Sequence, residues 1–193
     1  MEVVPMVETG NLIALFHELV RTAMATQRVE SSETTEFYLV QLLEGFARPG
    51  RGDLLDPPLG IDYLQAMQLP THQRAGKLRR VADTALFVSG VFSDSLERRL
   101  VGADYYATLG RAAYAHLSSD AGRHALAEPF EELAGRFLQF VRVLAEISDQ
   151  LFRRHQDTLR LYKRWLHTRG EREADLLMRR GLIPVAPAQP FRH

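Results

Sequence analysis

From Phe130 to Leu166, apolar residues return every three or four positions without losing phase. Phe130, Leu133, Phe137, Phe140, Leu144, Ser148, Leu151, His155, Leu159, Tyr162 and Leu166 make one stripe, with Ser148 and His155 as its polar members. A stripe in constant phase is one face of one helix. At about 1.5 Å per residue, such a helix reaches on the order of 55 Å. A domain of this size needs less to cover its core. The outer half is therefore expected to protrude or to pack against another chain.

The rest of the chain reads as helix as well. Asn11 is placed to cap a first helix to about Gln27, with Leu12, Leu15, Phe16, Leu19 and Ala23 on its apolar face. Ser31 or Ser32 caps a second helix through Ala47, whose stripe is Phe37, Val40, Leu43 and Phe46 or Ala47. Arg48-Pro49-Gly50-Arg51-Gly52 ends it. A short helix follows at Asp62 to Gln68, and Pro70 opens a fourth, Thr71 to Ser89, which carries Leu78, Val81, Ala82, Ala85, Leu86 and Val88 and has Gly90 as its stop. Asp94 and Glu97 have capping-box spacing for a fifth.

Asp104 caps a sixth helix to about Leu117, rich in small side chains, and Ser118 to Gly122 is read as a turn. The long helix runs from about 129 to 168, and a short final helix spans Glu171 to Arg180. The expectation is an all-α multi-helix bundle. Residues 1–148 form the bundle core, 149–181 a helical C-terminal arm and 182–193 a proline-containing tail.

The chain of 193 residues holds no cysteine, which excludes disulfides, thiolate metal sites and cysteine nucleophiles. The first ten residues carry Glu2 and Glu8 and no basic residue, unlike a secretory signal. No apolar run approaches the roughly 20 residues that span a bilayer. The expected location is cytoplasmic, with no membrane partner.

The formal net charge is zero, but it is unevenly spread. Residues 1–70 hold 4 Lys/Arg against 10 Asp/Glu, and residues 149–193 hold 10 against 5. An acidic front and a basic back suit head-to-tail packing or an anionic partner at the C-terminal end.

No arrangement of residues carries recognisable chemistry, so no catalytic residue, metal ligand or cofactor is assigned. His116, Asp120, His124 and Glu128 are spaced by four and would line one helix face, as zinc or iron ligands do, but the turn expected at Ser118 to Gly122 breaks that face. The Glu-x-x-His pairs of di-iron bundles are absent. His155 and His17 lack a second ligand beside them. Ser89, Ser93 and Ser95 lack the Gly-x-Ser-x-Gly elbow. Arg51-Gly52-Asp53 and the Pro184, Pro187, Pro190, Arg192 pattern read as chance and as an extended tail.

Several strings in residues 33–148 carry a resemblance. They are Phe37-Tyr38-Leu39-Val40, Leu86-Phe87-Val88-Ser89-Gly90, Ser93-Asp94-Ser95-Leu96 and Asp104-Tyr105-Tyr106. This stretch resembles an uncharacterised family of bacterial all-helical proteins. The resemblance implies a bacterial, cytosolic protein and brings no known activity with it.

The functional expectation is a non-enzymatic protein-protein interaction or scaffold protein that self-associates, as a homodimer, through its C-terminal helices. The interaction residues expected are Leu151, Phe152, His155, Leu159, Tyr162, Trp165 and Leu166, with the basic rim Arg153, Arg154, Arg160 and Arg164. One alternative is a ligand-binding or enzymatic bundle with a pocket at Tyr105, Tyr106, His116 and the first helix. The other is a nucleic-acid-associated regulator using the basic arm, where arginines bind phosphate and aromatic rings stack on bases.

Overall fold

The computed structural model describes residues 9–47, 58–92, 102–122, 126–168 and 170–179. Among them are eight helices and no strand: α1 (Thr9–Gln27), α2 (Glu33–Ala47), α3 (Leu59–Met67), α4 (Thr71–Val91), α5 (Ala103–Ala121), α6 (Ala127–Gly135), α7 (Phe137–Thr168) and α8 (Glu171–Arg179). The protein is an all-α multi-helix bundle with a long C-terminal helical stretch and a short final helix. The helix read at Asp94 to Glu97, the Arg51-Gly52-Asp53 string and the proline-containing tail lie outside the described residues.

Local chemistry accounts for the helix ends. The Ser32 hydroxyl accepts the Thr35 backbone N–H at 3.3 Å, while Glu33 and Glu36 place negative charge at the positive end of the α2 dipole. Arg28 turns α1 off in the left-handed region (φ 54), and Val29 N–H bonds back to the Met24 carbonyl at 2.9 Å. Gly122 (φ 57) stops α5 in a conformation that a side chain would strain.

The chain divides into two compact units, residues 1–148 and 149–193. In the first, α1 packs on α2, α2 on α6, α3 on α4 and α5, and α5 on α4 and α6. The predicted α4 stripe, Leu78, Val81, Ala82, Ala85, Leu86 and Val88, is fully buried. The long stripe also goes inside in phase, with Phe130, Leu133, Phe137, Phe140 and Leu144 all buried. One residue, Arg136 (φ −120, ψ 30), interrupts the helical geometry between α6 and α7 without shifting that phase. It is pinned by Glu132 at 3.0 Å, by the Glu30 carbonyl oxygen and by the Phe140 ring.

Three local details differ from the sequence reading. Phe37 is exposed, because α2 turns Tyr38, Leu39, Leu42 and Leu43 inward instead. Gly90 lies inside α4 and marks a close crossing: a Cβ there would overlap the Leu144 Cβ and sit 3.0 Å from the Val141 carbonyl oxygen. The helix read as ending near Leu117 continues to Ala121, because Arg74 on α4 holds Asp120 and the Ser119 hydroxyl bonds the Ala115 carbonyl four residues back.

The loop joining α1 and α2 is tied to distant sequence. Ser32 N–H donates to the Glu132 carboxylate at 3.2 Å, the Thr34 hydroxyl donates to Glu128 at 2.6 Å, and the Gln27 amide reaches Glu146 at 3.4 Å.

In the second unit, the outer part of α7 and α8 share a small core. Leu161, Trp165 and Leu177 are buried, with Tyr162 and Ala174 packed against them. Arg164 and Glu173 link the two helices at 3.5 Å.

Candidate functional site

The expected interaction residues fall into distinct environments. Leu151 and Phe152 are exposed, at 37% and 63%, directly after the buried Leu144 and Ile147 on the same helix. Trp165 belongs to the small buried core and Tyr162 stands beside it, with ring centroids 5.7 Å apart. Arg160 pairs with Asp157 at 3.9 Å and Arg164 with Glu173 at 3.5 Å, while Arg153 and Arg154 are exposed. The side chains of His155, Leu159 and Leu166 lie outside what the structure describes.

The histidine–carboxylate series is spread among other partners. Asp120 forms a two-pronged bond with Arg74, Nε to Oδ2 at 2.7 Å and Nη2 to Oδ1 at 2.6 Å, which holds its carboxyl below the usual aspartate range. Glu128 accepts from Thr34, His116 stands beside Tyr63 with ring centroids 6.2 Å apart, and His124 is not described. Among the described residues no three His, Asp or Glu side chains gather into a group able to hold a metal. His17 is exposed, and Ser89 is buried with an unpartnered hydroxyl. Tyr105 is exposed, whereas Tyr106 and Tyr114 are buried.

The strongest polar constellation escaped the sequence reading. Asp83, on the inner side of α4, accepts hydrogen bonds at Oδ1 from the Tyr38 hydroxyl (2.5 Å) and the Tyr114 hydroxyl (2.8 Å). Arg79, one turn earlier, donates from Nε to the Tyr38 oxygen at 3.2 Å, stands 3.5 Å from Asp83 Oδ2 and lies over the Tyr38 ring. Phe130 packs edge-on to Tyr38 and stacks on Tyr114.

Burial pushes the Asp83 carboxyl up despite its hydroxyl donors and Arg79, because desolvation penalises the charged form more than these partners repay. Burial, together with the neighbouring Asp83 charge, raises both phenols well above their ordinary range. The one sequence signal for this cluster was an aspartate inside the apolar run Val81-Ala82-Asp83-Thr84-Ala85. The arrangement bonds three helices together. It presents no nucleophile next to a base.

Two concave features flank the cluster. One is a mostly apolar groove of about 720 Å³ where Ala75, Leu117, Leu126 and Phe130 meet near the Arg74–Asp120 pair. The other, of about 260 Å³, lies between α2 and α4 and is lined by Gln41, Gly45, Phe46, Gly76 and Arg80, with Arg79 and Asp83 also contributing. A Cβ at Gly45 or Gly76 would meet nothing within 4 Å, so no neighbour requires glycine at either position. Each glycine weakens its helix, and Gly45→Ala and Gly76→Ala are each expected to stabilise the fold by about 0.5–1 kcal/mol in urea unfolding.

Comparison with protein-family models, curated proteins and solved structures finds no match to this chain.

Proposed function

We propose that the protein is a non-enzymatic interaction or scaffold protein of the bacterial cytoplasm that self-associates, as a homodimer, through its C-terminal helices. The observation that supports this reading is the change of environment along α7. Its apolar stripe is buried at Leu144 and exposed at Leu151, with Phe152 exposed beside it. On α8, Leu176 and Met178 are exposed as well.

Exposed apolar side chains favour association, since water-facing apolar area is removed when a second surface covers it. Among the described residues the core of the second unit is Leu161, Trp165 and Leu177, and cover from a partner would add burial to it. No helix among the described residues is long and apolar enough to cross a membrane. The nucleic-acid alternative is disfavoured because Asp157 and Glu173 partly neutralise Arg160 and Arg164.

The test is native mass spectrometry with light scattering on the full chain. The wild type is expected to run as a dimer free of extra mass, and Leu151→Glu/Phe152→Glu as a monomer with unchanged helical circular dichroism. A wild type that stays monomeric at about 100 µM, well above the micromolar range of an 8 kcal/mol contact, defeats the reading. Retained oligonucleotide or salt-sensitive heparin binding would move it to the nucleic-acid alternative.

A further inference from the structure

The 260 Å³ groove between α2 and α4 has two properties that the fold itself does not use. First, Gly45 and Gly76 keep it open although nothing touches their Cβ positions. Alanine would suit both helices better. Second, its basic groups retain binding capacity. Among the described residues Arg80 makes no ion pair or hydrogen bond. Arg79 commits its Nε to Tyr38 and Asp83, which leaves its terminal nitrogens for another acceptor.

The carboxylate beside them is in the opposite condition. Asp83 Oδ1 already takes two phenol protons and Oδ2 faces Arg79, so it has little left to offer a cation. Gln41 adds an amide and Phe46, stacked on Phe87 with centroids 4.1 Å apart, adds an apolar wall.

We propose that this groove binds a small organic anion, a carboxylate or phosphate monoester on a compact apolar body, with Arg79 and Arg80 holding the anionic group. Guanidinium forks match the oxygen geometry of both groups. The Tyr38–Asp83 bond holds Arg79 in place, so its charge is presented without the loss of freedom that a surface arginine meets on binding. The volume lies below the roughly 300–1,000 Å³ of drug-sized sites, which limits the ligand to a small molecule. Gly45 and Gly76 let the ligand approach helix backbone that a methyl group would shield.

The test is a titration of the ¹⁵N-labelled full chain with sodium benzoate, sodium phenyl phosphate and, as a cationic control, benzamidine. Saturable shifts at Gly45, Gly76 and Arg80 are expected with one or both anions, with a Kd on the order of 1 mM for probes of this size. The better of the two identifies the anionic group.

Arg80→Ala removes an exposed, unpartnered side chain and is expected to weaken binding at least about tenfold, one charge-assisted contact, with unchanged Tm. Gly45→Ala/Gly76→Ala is expected to raise Tm while abolishing the shifts, an opposition that a structural role for the glycines would not produce. The proposal is overturned by any of three results: no saturable shift with either anion, equal affinity in Arg80→Ala, or preference for benzamidine.

Discussion

Gly90→Val is expected to be among the most damaging single substitutions in the chain, lowering stability by more than about 3 kcal/mol, beyond the ordinary range for overpacking. The reason lies in what a Cβ would strike. Leu144 meets it with its own Cβ, and Val141 with a main-chain carbonyl oxygen at 3.0 Å. Neither can rotate away, so α4 and α7 must separate and loosen Leu86, Val88, Phe140 and Leu144, which are fully buried. Gly90→Ala tests the point more finely. It gains about 1 kcal/mol in helix propensity and loses about 3 to overpacking, so a net loss near 2 is expected. Urea unfolding with an unchanged m-value is the measurement. If Gly90→Ala stabilises as Gly45→Ala and Gly76→Ala should, the close α4–α7 crossing is wrong.

Asp83→Ala should have a comparable effect by a different route. It leaves two buried phenol hydroxyls without their acceptor and Arg79 without its counter-charge. Each buried hydroxyl left unsatisfied costs about 1–3 kcal/mol, while Arg79, 42% exposed, can turn to water, so a loss of about 3 kcal/mol is expected. Asp83→Asn keeps an acceptor and should lose less. Tyr38→Phe and Tyr114→Phe each remove one donor and should cost about 1 kcal/mol.

The pH dependence separates this carboxylate from the others. Because burial raises its folded-state value above the ordinary 3.8, the native state binds the proton more tightly than the unfolded chain does. Its contribution is therefore most favourable below 3.8 and falls as pH rises through the window up to the raised value. Relative to Asp83→Asn, the wild type should gain stability on acidification through that window. Asp120 has the opposite sign: Arg74 lowers its value, so its contribution is present above 3.8 and lost as pH falls below it. Denaturation of wild type and Asp83→Asn from pH 7 to pH 4 decides the matter. A difference that is flat with pH would show that Asp83 is not perturbed in the native state.

Much of the fold was legible because its signals are local. Ser32 as a cap, Pro70 before α4 and the buried stripe from Leu78 to Val88 each depend on residues within a few turns of one another. The misread positions depend on tertiary partners. Glu36-Phe37-Tyr38-Leu39-Val40 contains four apolar residues in a row, and periodicity alone could not choose between Phe37 and Tyr38 for the core. Tyr38 goes inside where its hydroxyl finds Asp83, 45 residues away. Gly90 carries the same letter whether a helix ends there or crosses another closely. Arg136 leaves no trace because its backbone change does not disturb the apolar phase.

The Asp83 cluster had no spacing to recognise, since its members come from α2, α4 and α5. Only a charged residue within an apolar run pointed to it. The exposed Leu151 was legible as part of a long stripe, with Phe152 next to it, but the burial of Trp165 required the small core it shares with Leu177 on another helix.

The bonds that fasten the loop between α1 and α2 have a consequence for synthesis. Ser32 waits for Glu132, 100 residues later, the Glu30 carbonyl for Arg136, 106 residues later, and Gln27 for Glu146, 119 residues later. At about 5–20 residues per second, that gap corresponds to roughly 5–20 seconds of translation. Throughout that interval the apolar faces of α1 and α2 can cover one another but not the surface later taken by α6 and α7. The nascent chain is therefore most vulnerable to aggregation and to chaperone capture in its first half, and it closes only after the long helix has begun to emerge.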